Sequence, residues 1–311
     1  MSVGSLALGS GPEARERLRG LLEGSGHQLD SGMPGVHGRS AAYEAVVGGL
    51  VAAARARIEP GAQVTTWVFP PTMAAATFEG TDYLESFPNL TGVVDVFTGG
   101  DAEHAALLAL RESGTAGWAG ALVPSGLTLV PATCHNVYRR FTGVLAHPVR
   151  IDALGTCFRH EPSADPMRMV SFRIHEEIYI GTADGAIEHR ELWLGITRGL
   201  LEDLGLAVHV DIANDPFFGR AGRILSRGQR EEALKFEILT HVYDDQPTAI
   251  ASGNAHRTHF GVNFAITLPD GSPAHSSCTG IGLERVTNAL LVRHGVDIER
   301  WPATVTSVLG L

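Results

Sequence analysis

Four side chains between positions 156 and 181 are spaced so that they could act together. Arg159, Glu161, Phe172 and Glu176 lie on two β-like arms joined by a polar loop. Because alternate side chains of a strand share a face, Arg159 and Glu161 point together, and so do Phe172 and Glu176. A guanidinium fork matches phosphate oxygens, and an aromatic ring can stack on a purine. This layout is suited to ATP, although an ordinary hairpin with charged residues on its wet face would show the same pattern.

The elements that must position these residues alternate between β-like and helical segments. Strands are predicted at residues 120–130, 149–158, 170–180, 207–212, 248–252 and 260–268, and helices at 102–112, 186–204 and 281–294. A short amphipathic helix is predicted at 12–24, followed by an irregular Gly-rich loop at 26–38. The predicted fold class is α+β, a mostly antiparallel sheet flanked by helices in one main domain.

Composition narrows the class of protein. The chain has 311 residues, of which 44% are hydrophobic, enough for one large core. It has no apolar run of about 18 residues and no basic segment before its short N-terminal apolar patch, so neither a membrane span nor a signal peptide is predicted, and we expect a cytoplasmic protein. The three cysteines, Cys134, Cys157 and Cys278, are odd in number and far apart. This argues against a disulfide framework and for buried, reactive or metal-bound thiols.

Three segments in this order resemble the class II aminoacyl-tRNA synthetases. The arms, with CFRHE at 157–161 and FRIHEE at 172–177, resemble motif 2, most closely that of the seryl branch. GIGLERVTNAL at 280–290 resembles motif 3, and the helical stretch 41–54 followed by VTTWVFPP resembles the dimer-forming motif 1. The resemblance implies a class II synthetase catalytic core at 38–311, after an N-terminal helix and loop at 1–37, and a homodimer.

The resemblance also implies which residues handle ATP. Arg159 and Arg285 would be the catalytic arginines, stabilising charge on the α-phosphate and the leaving pyrophosphate together with Mg²⁺. The other ATP-binding positions that it implies are Glu161, Arg168, Met169, Phe172, Lys235, Ala249, Ile250, Ala251 and Ser252. Ala249 stands where the seryl enzymes have a glutamate, so we expect backbone contacts there. The implied reaction converts an amino acid and ATP into an aminoacyl-adenylate and pyrophosphate.

A metal site is a further implication. The atypical archaeal seryl synthetases, and the amino acid:[carrier protein] ligases that resemble them, bind a catalytic zinc through Cys, Glu and Cys from regions that match Cys134, Glu176 and Cys278 here. Two thiolates and a carboxylate leave a fourth tetrahedral position open, which is the pattern of a catalytic zinc. Cys157 stays an alternative ligand because strand alternation places it on the Arg159 face. Glu177 is expected on the opposite face, exposed to solvent or packed on a helix.

The three motifs do not identify the molecule that accepts the activated amino acid. The seryl enzymes carry a long N-terminal coiled-coil arm that grips tRNA, whereas only some forty residues precede motif 1 here and the net charge is −10. We therefore expect no tRNA partner. The resemblance to the ligases implies that glycine or alanine is transferred to the phosphopantetheine thiol of a carrier protein. A tRNA or peptide acceptor, and a noncatalytic amino acid sensor, are the alternatives.

A basic segment could dock such a carrier. Residues 215–235, DPFFGRAGRILSRGQREEALK, resemble a helical insertion relative to the seryl enzymes. Arg220, Arg223 and Arg227 recur at spacings of three and four, so a helix would align them in one stripe. Carrier proteins are typically acidic around their phosphopantetheine, and the stripe would attract them. A solvated helix face is the alternative.

Overall fold

The computed structural model describes residues 6–114, 116–213 and 233–311. The described helices are α1 (Gly11–Gly24), α2 (Ala41–Arg55), α3 (Ala75–Glu79), α4 (Tyr83–Ser86), α5 (Asp101–Glu112), α6 (Ala183–Asp203), α7 (His259–Asn263), α8 (Leu283–His294) and α9 (Ala303–Leu309). The described strands are β1 (Gln28–Asp30), β2 (His37–Arg39), β3 (Val64–Phe69), β4 (Thr72–Ala74), β5 (Val93–Val96), β6 (Val123–Leu129), β7 (Gly143–Val144), β8 (Val149–Phe158), β9 (Ser171–Gly181), β10 (Val208–Ala213), β11 (Lys235–Thr240), β12 (Thr248–Arg257), β13 (Ile266–Thr267) and β14 (His275–Gly282).

A seven-stranded sheet is the centre of the fold. Its strands lie in the order β10-β11-β12-β14-β9-β8-β3. Neighbours are antiparallel except β3 and β8, which run parallel. Long strands in the middle are buried on both faces, since every residue from Ile174 to Gly181 on β9 is buried. The sheet confirms the α+β, mostly antiparallel class.

Helices cover the sheet and supply the main core. The core cluster joins residues of α1, α2, α6, α8 and α9 with those of β11, β12 and β14. The helix α2 begins where Ser40 accepts a hydrogen bond from the Tyr43 backbone N–H, which caps its first turn. Tyr43 is fully buried and donates to Glu284 and Asn288, so α2 is fixed against α8.

Three smaller sheets surround the central one. Strands β4, β6 and β5 form one, β1 and β2 form a short hairpin, and β7 pairs with β13. No described helix is both long and apolar enough to cross a bilayer.

Two of the predicted elements were wrong. Residues 260–268 form the end of α7 and the two-residue strand β13, not one strand. Phe260 and Phe264, four residues apart, both stack on the ring of Tyr138, with centroids 3.9 Å and 6.0 Å away, which is contact at helical spacing. The Gly-rich segment 26–38, predicted to be irregular, contains most of the β1–β2 hairpin.

Candidate active site

Arg285 is held at the start of α8 by two backbone carbonyls. Its Nε donates to the Met167 carbonyl oxygen at 2.8 Å and its Nη1 to that of Ala249 at 2.9 Å. A guanidinium has five N–H groups, so three remain for a ligand. Burial, and then the nearby charge of Arg159, lower the pKa of Arg285 from its ordinary value. A partly buried cation beside a second cation is suited to an anionic ligand such as a phosphate.

Arg159 lies directly after β8 and approaches the same place. Its Nε donates to the Pro131 carbonyl oxygen at 3.1 Å, and its guanidinium carbon is 5.5 Å from the centroid of the Phe172 ring. Glu161 lies 3.7 Å from Arg168, measured between Oε1 and Nη1. Glu161 and Arg168 both act electrostatically on Arg285. The structure therefore brings together the charged groups that the sequence assigned to ATP.

Two rows of residues cross the same face of the sheet beside these arginines. In one row the strand register aligns Glu237, Ser252, Gly280 and Glu176, from β11 to β9. In the next row it aligns Lys235, Asn254 and Cys278. Lys235 is also 3.3 Å from Glu237, measured from Nζ to Oε1. The predicted residues Lys235, Ser252, Glu176 and Cys278 thus share one surface.

Cys134, Glu176 and Cys278 form a compact, buried group. One sulfur or oxygen atom of each lies within 4.8 Å of the others. Cys134 belongs to a 3-10 turn, Thr133–Asn136, that sits over β8 and β9. The backbone N–H groups of Thr133 and Cys134 donate to the two oxygens of Glu176 at 3.2 and 3.1 Å. The turn and the strand therefore fix the carboxylate beside the two sulfurs.

The charge state of this group favours a cation. The hydrogen bond between the two thiols lowers the pKa of Cys278 and raises that of Cys134. Burial, and then the charge of Cys278, raise the pKa of Glu176 to about 8. Three groups that compete for negative charge in one buried place would all become anionic ligands beside a divalent metal. Two thiolates and one carboxylate are a donor set that suits Zn²⁺.

Cys157 lies apart from this group. Its sulfur is 3.6 Å from the Thr133 hydroxyl, and it pairs with Phe172 whereas Glu176 pairs with Ala153, four residues along β8. Thr133 fills the space between them, because an added Cβ on Gly155 would lie only 2.9 Å from the Thr133 side chain. Burial raises the pKa of the Cys157 thiol to about 12, so it stays protonated. Its structural role is that of a small core residue.

The other predicted ATP-binding positions differ in how exposed their side chains are. Arg168 is exposed, whereas the side chains of Met169, Ile250 and Ala251 are buried. Ile250 and Ala251 belong to the main core, which leaves only backbone groups at those positions for a ligand. Arg220, Arg223 and Arg227 lie outside the described residues. Glu177 is on the opposite face of β9, as expected, and it is buried, which excludes the solvent-exposed alternative.

Two polar neighbours of Cys278 were missed from the sequence. His256 Nε2 lies 3.6 Å from the Cys278 sulfur, and Asn254 Nδ2 lies 3.7 Å from it. Both contacts lower the pKa of Cys278. Strand alternation from Ser252 places Asn254 and His256 on the same face of β12, and this signal was present in the sequence. Tyr138 and Ser276 hold the other ring nitrogen of His256 at 3.3 and 3.1 Å.

Solved structures with this architecture define the class of protein. The chain superposes on Methanopyrus kandleri seryl-tRNA synthetase, solved with a tRNA(Sec) of A. aeolicus, with a TM-score of 0.81 and 20% identity, covering 99% of this chain and 63% of that one. Pyrococcus horikoshii seryl-tRNA synthetase complexed with ATP gives a TM-score of 0.68 and 16% identity over 94% of this chain and 62% of that one. The fold is the class II synthetase catalytic core.

Sequence comparison is more specific. The chain is 38% identical over 304 residues to amino acid–[acyl-carrier-protein] ligase 1 of Bradyrhizobium diazoefficiens, covering 96% of this chain and 92% of that protein. Ligase 2 of the same species is also 38% identical and matches 97% of this chain and 90% of its own. The type-2 serine–tRNA ligase of Methanopyrus kandleri is 27% identical over 58% of this chain and 37% of its own. No protein-family model matches. This chain belongs to the amino acid–[acyl-carrier-protein] ligase family.

Proposed function

We propose that this protein activates a small amino acid with ATP and transfers it to the phosphopantetheine thiol of a carrier protein. The observation that carries the proposal is one sheet face holding Arg159, Arg285 and Phe172 beside the Cys134/Glu176/Cys278 group. The names of the two Bradyrhizobium relatives support the acceptor.

The first step is formation of the aminoacyl-adenylate. A carboxylate oxygen of the amino acid attacks the α-phosphorus of ATP, and the bond to pyrophosphate breaks. The substrate's carboxylate is already ionised at neutral pH, so no protein base is needed. Arg159 and Arg285 would stabilise the charge that develops on the α-phosphate and on the leaving group, assisted by Mg²⁺. Phe172 would stack on adenine, with Glu161 near its amino group.

The Cys134/Glu176/Cys278 group would position the amino end of the substrate. Zn²⁺ held there would supply a Lewis-acidic ligand position for the α-amino group and exclude molecules without one. Asn254 would stabilise the Cys278 thiolate by donating toward its sulfur, and His256 would do so in the tautomer that carries its proton on Nε2. In the second step the carrier's thiol sulfur attacks the adenylate carbonyl, AMP leaves, and the thiol proton passes to solvent or AMP.

Two assays test this proposal in the purified protein. ATP–pyrophosphate exchange across the twenty amino acids, with and without zinc, reports activation. Labelled amino acid offered to holo-carrier, apo-carrier, tRNA and peptide reports the acceptor. We expect exchange, and label only on the holo-carrier. An absence of exchange with every amino acid would refute activation, and label on tRNA or peptide would refute the acceptor.

We further propose that the substrate is glycine or alanine. Ala249 replaces the glutamate of the seryl enzymes, and its carbonyl oxygen is already used by Arg285. We therefore expect exchange to be fastest with glycine or alanine, and slower with serine. One added methylene changes binding by only about 1–3 kcal/mol, so the preference between glycine and alanine should be modest. Exchange with serine at least as fast as with both would contradict this.

We also propose that the carrier protein docks on Arg220, Arg223 and Arg227. An acidic carrier and a chain of net charge −10 repel each other, and a local basic stripe would raise their encounter rate. Arg220→Glu with Arg223→Glu should slow transfer to the holo-carrier at low salt and leave exchange intact. Arg198→Glu on α6 is a matched control, because Arg198 is an exposed helical arginine. Equal transfer rates for both variants would place the docking surface elsewhere.

We propose that two copies of this chain associate, because apolar side chains are exposed near the segment that resembles motif 1. Val68, on the edge strand β3, is 70% exposed, and Val93 on β5 is 62% exposed. The helix α5 buries none of its residues, although positions 105–110 are all alanine or leucine. A second copy of the chain would cover these groups, so we expect a homodimer by light scattering. Val68→Glu should yield monomer, whereas Val210→Glu, on the opposite edge strand β10, should not.

A further inference from the structure

A second cluster of ligating side chains lies on the opposite face of β8 and β9. Asp152, His175 and Glu177 are 0%, 1% and 2% exposed. One ligand atom of each lies within 4.8 Å of the others. Asp152 and Glu177 are direct cross-strand partners, and His175 is on the same face of β9. Nothing in the proposed reaction uses these residues.

Glu177 is the unusual member. Asp152 receives hydrogen bonds from His175 Nε2 and Arg55 Nε, each at 2.6 Å. Neither oxygen of Glu177 has a hydrogen-bond partner among the described residues, and His175 Nε2 is 3.9 Å from its Oε1. Thr279 lies on β14 directly opposite Glu177, and its hydroxyl is also buried without a partner in the described chain. Buried polar groups are rarely left unsatisfied, so an atom is expected between them.

We propose that this cluster binds a divalent cation of the Mn²⁺ class through Asp152, His175 and Glu177, with the Thr279 hydroxyl as a further oxygen ligand. Two carboxylates, an imidazole and a hydroxyl are an oxygen-rich donor set that suits Mn²⁺. The Cys134/Glu176/Cys278 group is sulfur-rich and selects Zn²⁺ instead. Like-charged carboxylates that face each other across two strands are stabilised by a cation between them.

The position of this cluster links it to the zinc group. His175, Glu176 and Glu177 are consecutive on β9, so the outer two point to one face and Glu176 to the other. A cation that holds His175 and Glu177 would fix the backbone on both sides of Glu176. The cluster would thereby position a zinc ligand without contacting the substrate.

A cavity lies beside the cluster, on the same face of the sheet. A cavity of about 650 Å³ is lined by residues that include Arg150, Tyr179 and His189. Arg150 and Tyr179 pair with each other, two residues from Asp152 and Glu177 on the same strands and the same face. The Arg55 side chain on the other flank is 33% exposed.

The alternative is that Glu177 carries a proton and no cation binds. Burial, and then the charge of Asp152, raise the pKa of the Glu177 carboxyl to about 9. Glutamine has the shape of a neutral glutamic acid, so Glu177→Gln keeps the fold under either interpretation. The two interpretations differ only in what happens when the cation is added.

Titration of zinc-loaded protein with Mn²⁺, followed by the electron paramagnetic resonance of free Mn²⁺, tests the proposal. We expect one Mn²⁺ per wild-type chain and none in Glu177→Gln or Asp152→Asn. Mn²⁺ should raise the unfolding temperature of the wild type and leave that of Glu177→Gln unchanged. Glu188→Gln, an exposed carboxylate that lines the cavity, is the matched control and should keep the Mn²⁺.

Cobalt substitution shows that the sulfur group is intact in these variants. Thiolate-to-cobalt charge-transfer absorption should be the same in wild type and Glu177→Gln. A wild type that binds no Mn²⁺ would overturn the proposal in favour of the protonated acid. Binding that persists in Glu177→Gln and disappears in Glu188→Gln would also overturn it, in favour of the cavity carboxylates.

Discussion

Replacing Arg285 with alanine should reduce ATP–pyrophosphate exchange by a factor of about 10²–10³, corresponding to roughly 2.7–4 kcal/mol, as for removal of a positioned donor that stabilises transition-state charge. The side chain is held by the carbonyl oxygens of Met167 and Ala249 and keeps three N–H groups for the phosphate. Because these contacts position the guanidinium before ATP binds, its stabilisation is not offset by reordering.

Two further variants show whether a loss of exchange in Arg285→Ala comes from the guanidinium itself. Arg285→Lys keeps the charge but loses the fork, so it should restore only part of the rate. Arg293→Ala, on the same helix α8 but bonded to the Gly205 carbonyl, should exchange at the wild-type rate. Thermal unfolding of each variant separates loss of chemistry from loss of fold. An Arg285→Ala protein that folds and exchanges as fast as Arg293→Ala would remove Arg285 from the reaction.

The sequence predicted best the segments in which periodicity and burial agree. The strand β8 was predicted to the residue, at 149–158, because its apolar residues Val149, Ile151 and Ala153 alternate with polar ones, which is the period of a strand. The helix α5 was predicted within one residue from its alanines and leucines. Strands β11 and β14 were not among the predicted strands, since polar residues along them face the site and obscure the strand pattern.

Contacts between distant segments could not be derived from periodicity. Alternation placed Glu176 and Glu177 on opposite faces, which the structure confirms. Alternation does not say which residue of β8 lies opposite which residue of β9, so the pairing of Asp152 with Glu177 could not be predicted. The same limit left Cys157 open as a metal ligand, because its distance from Glu176 depends on which β8 residue lies opposite Glu176 and on Thr133, which fills the gap.

Replacing Cys278 with serine should abolish both zinc binding and amino acid activation. Cys278 is the thiol whose pKa is lowered by its hydrogen bond with Cys134, and a serine hydroxyl supplies no thiolate. Loss of an outer-sphere partner alone typically costs about 10–100-fold in metal affinity, so loss of a direct ligand should exceed that range. Elemental analysis after dialysis, together with ATP–pyrophosphate exchange, measures both effects.

Cys157→Ser is the matched control for this prediction, since Cys157 is equally buried and contacts Thr133 rather than the other sulfurs. It should retain zinc and exchange, with at most a loss of stability from placing a hydroxyl in the core. Cys134→Ser should behave as Cys278→Ser does, because both sulfurs lie within 4.8 Å of Glu176. Zinc lost from Cys157→Ser but kept by Cys278→Ser would reverse the ligand assignment. A metal-free wild type with full exchange activity would remove zinc from the mechanism and leave Arg159 and Arg285 to orient the substrate through ATP alone.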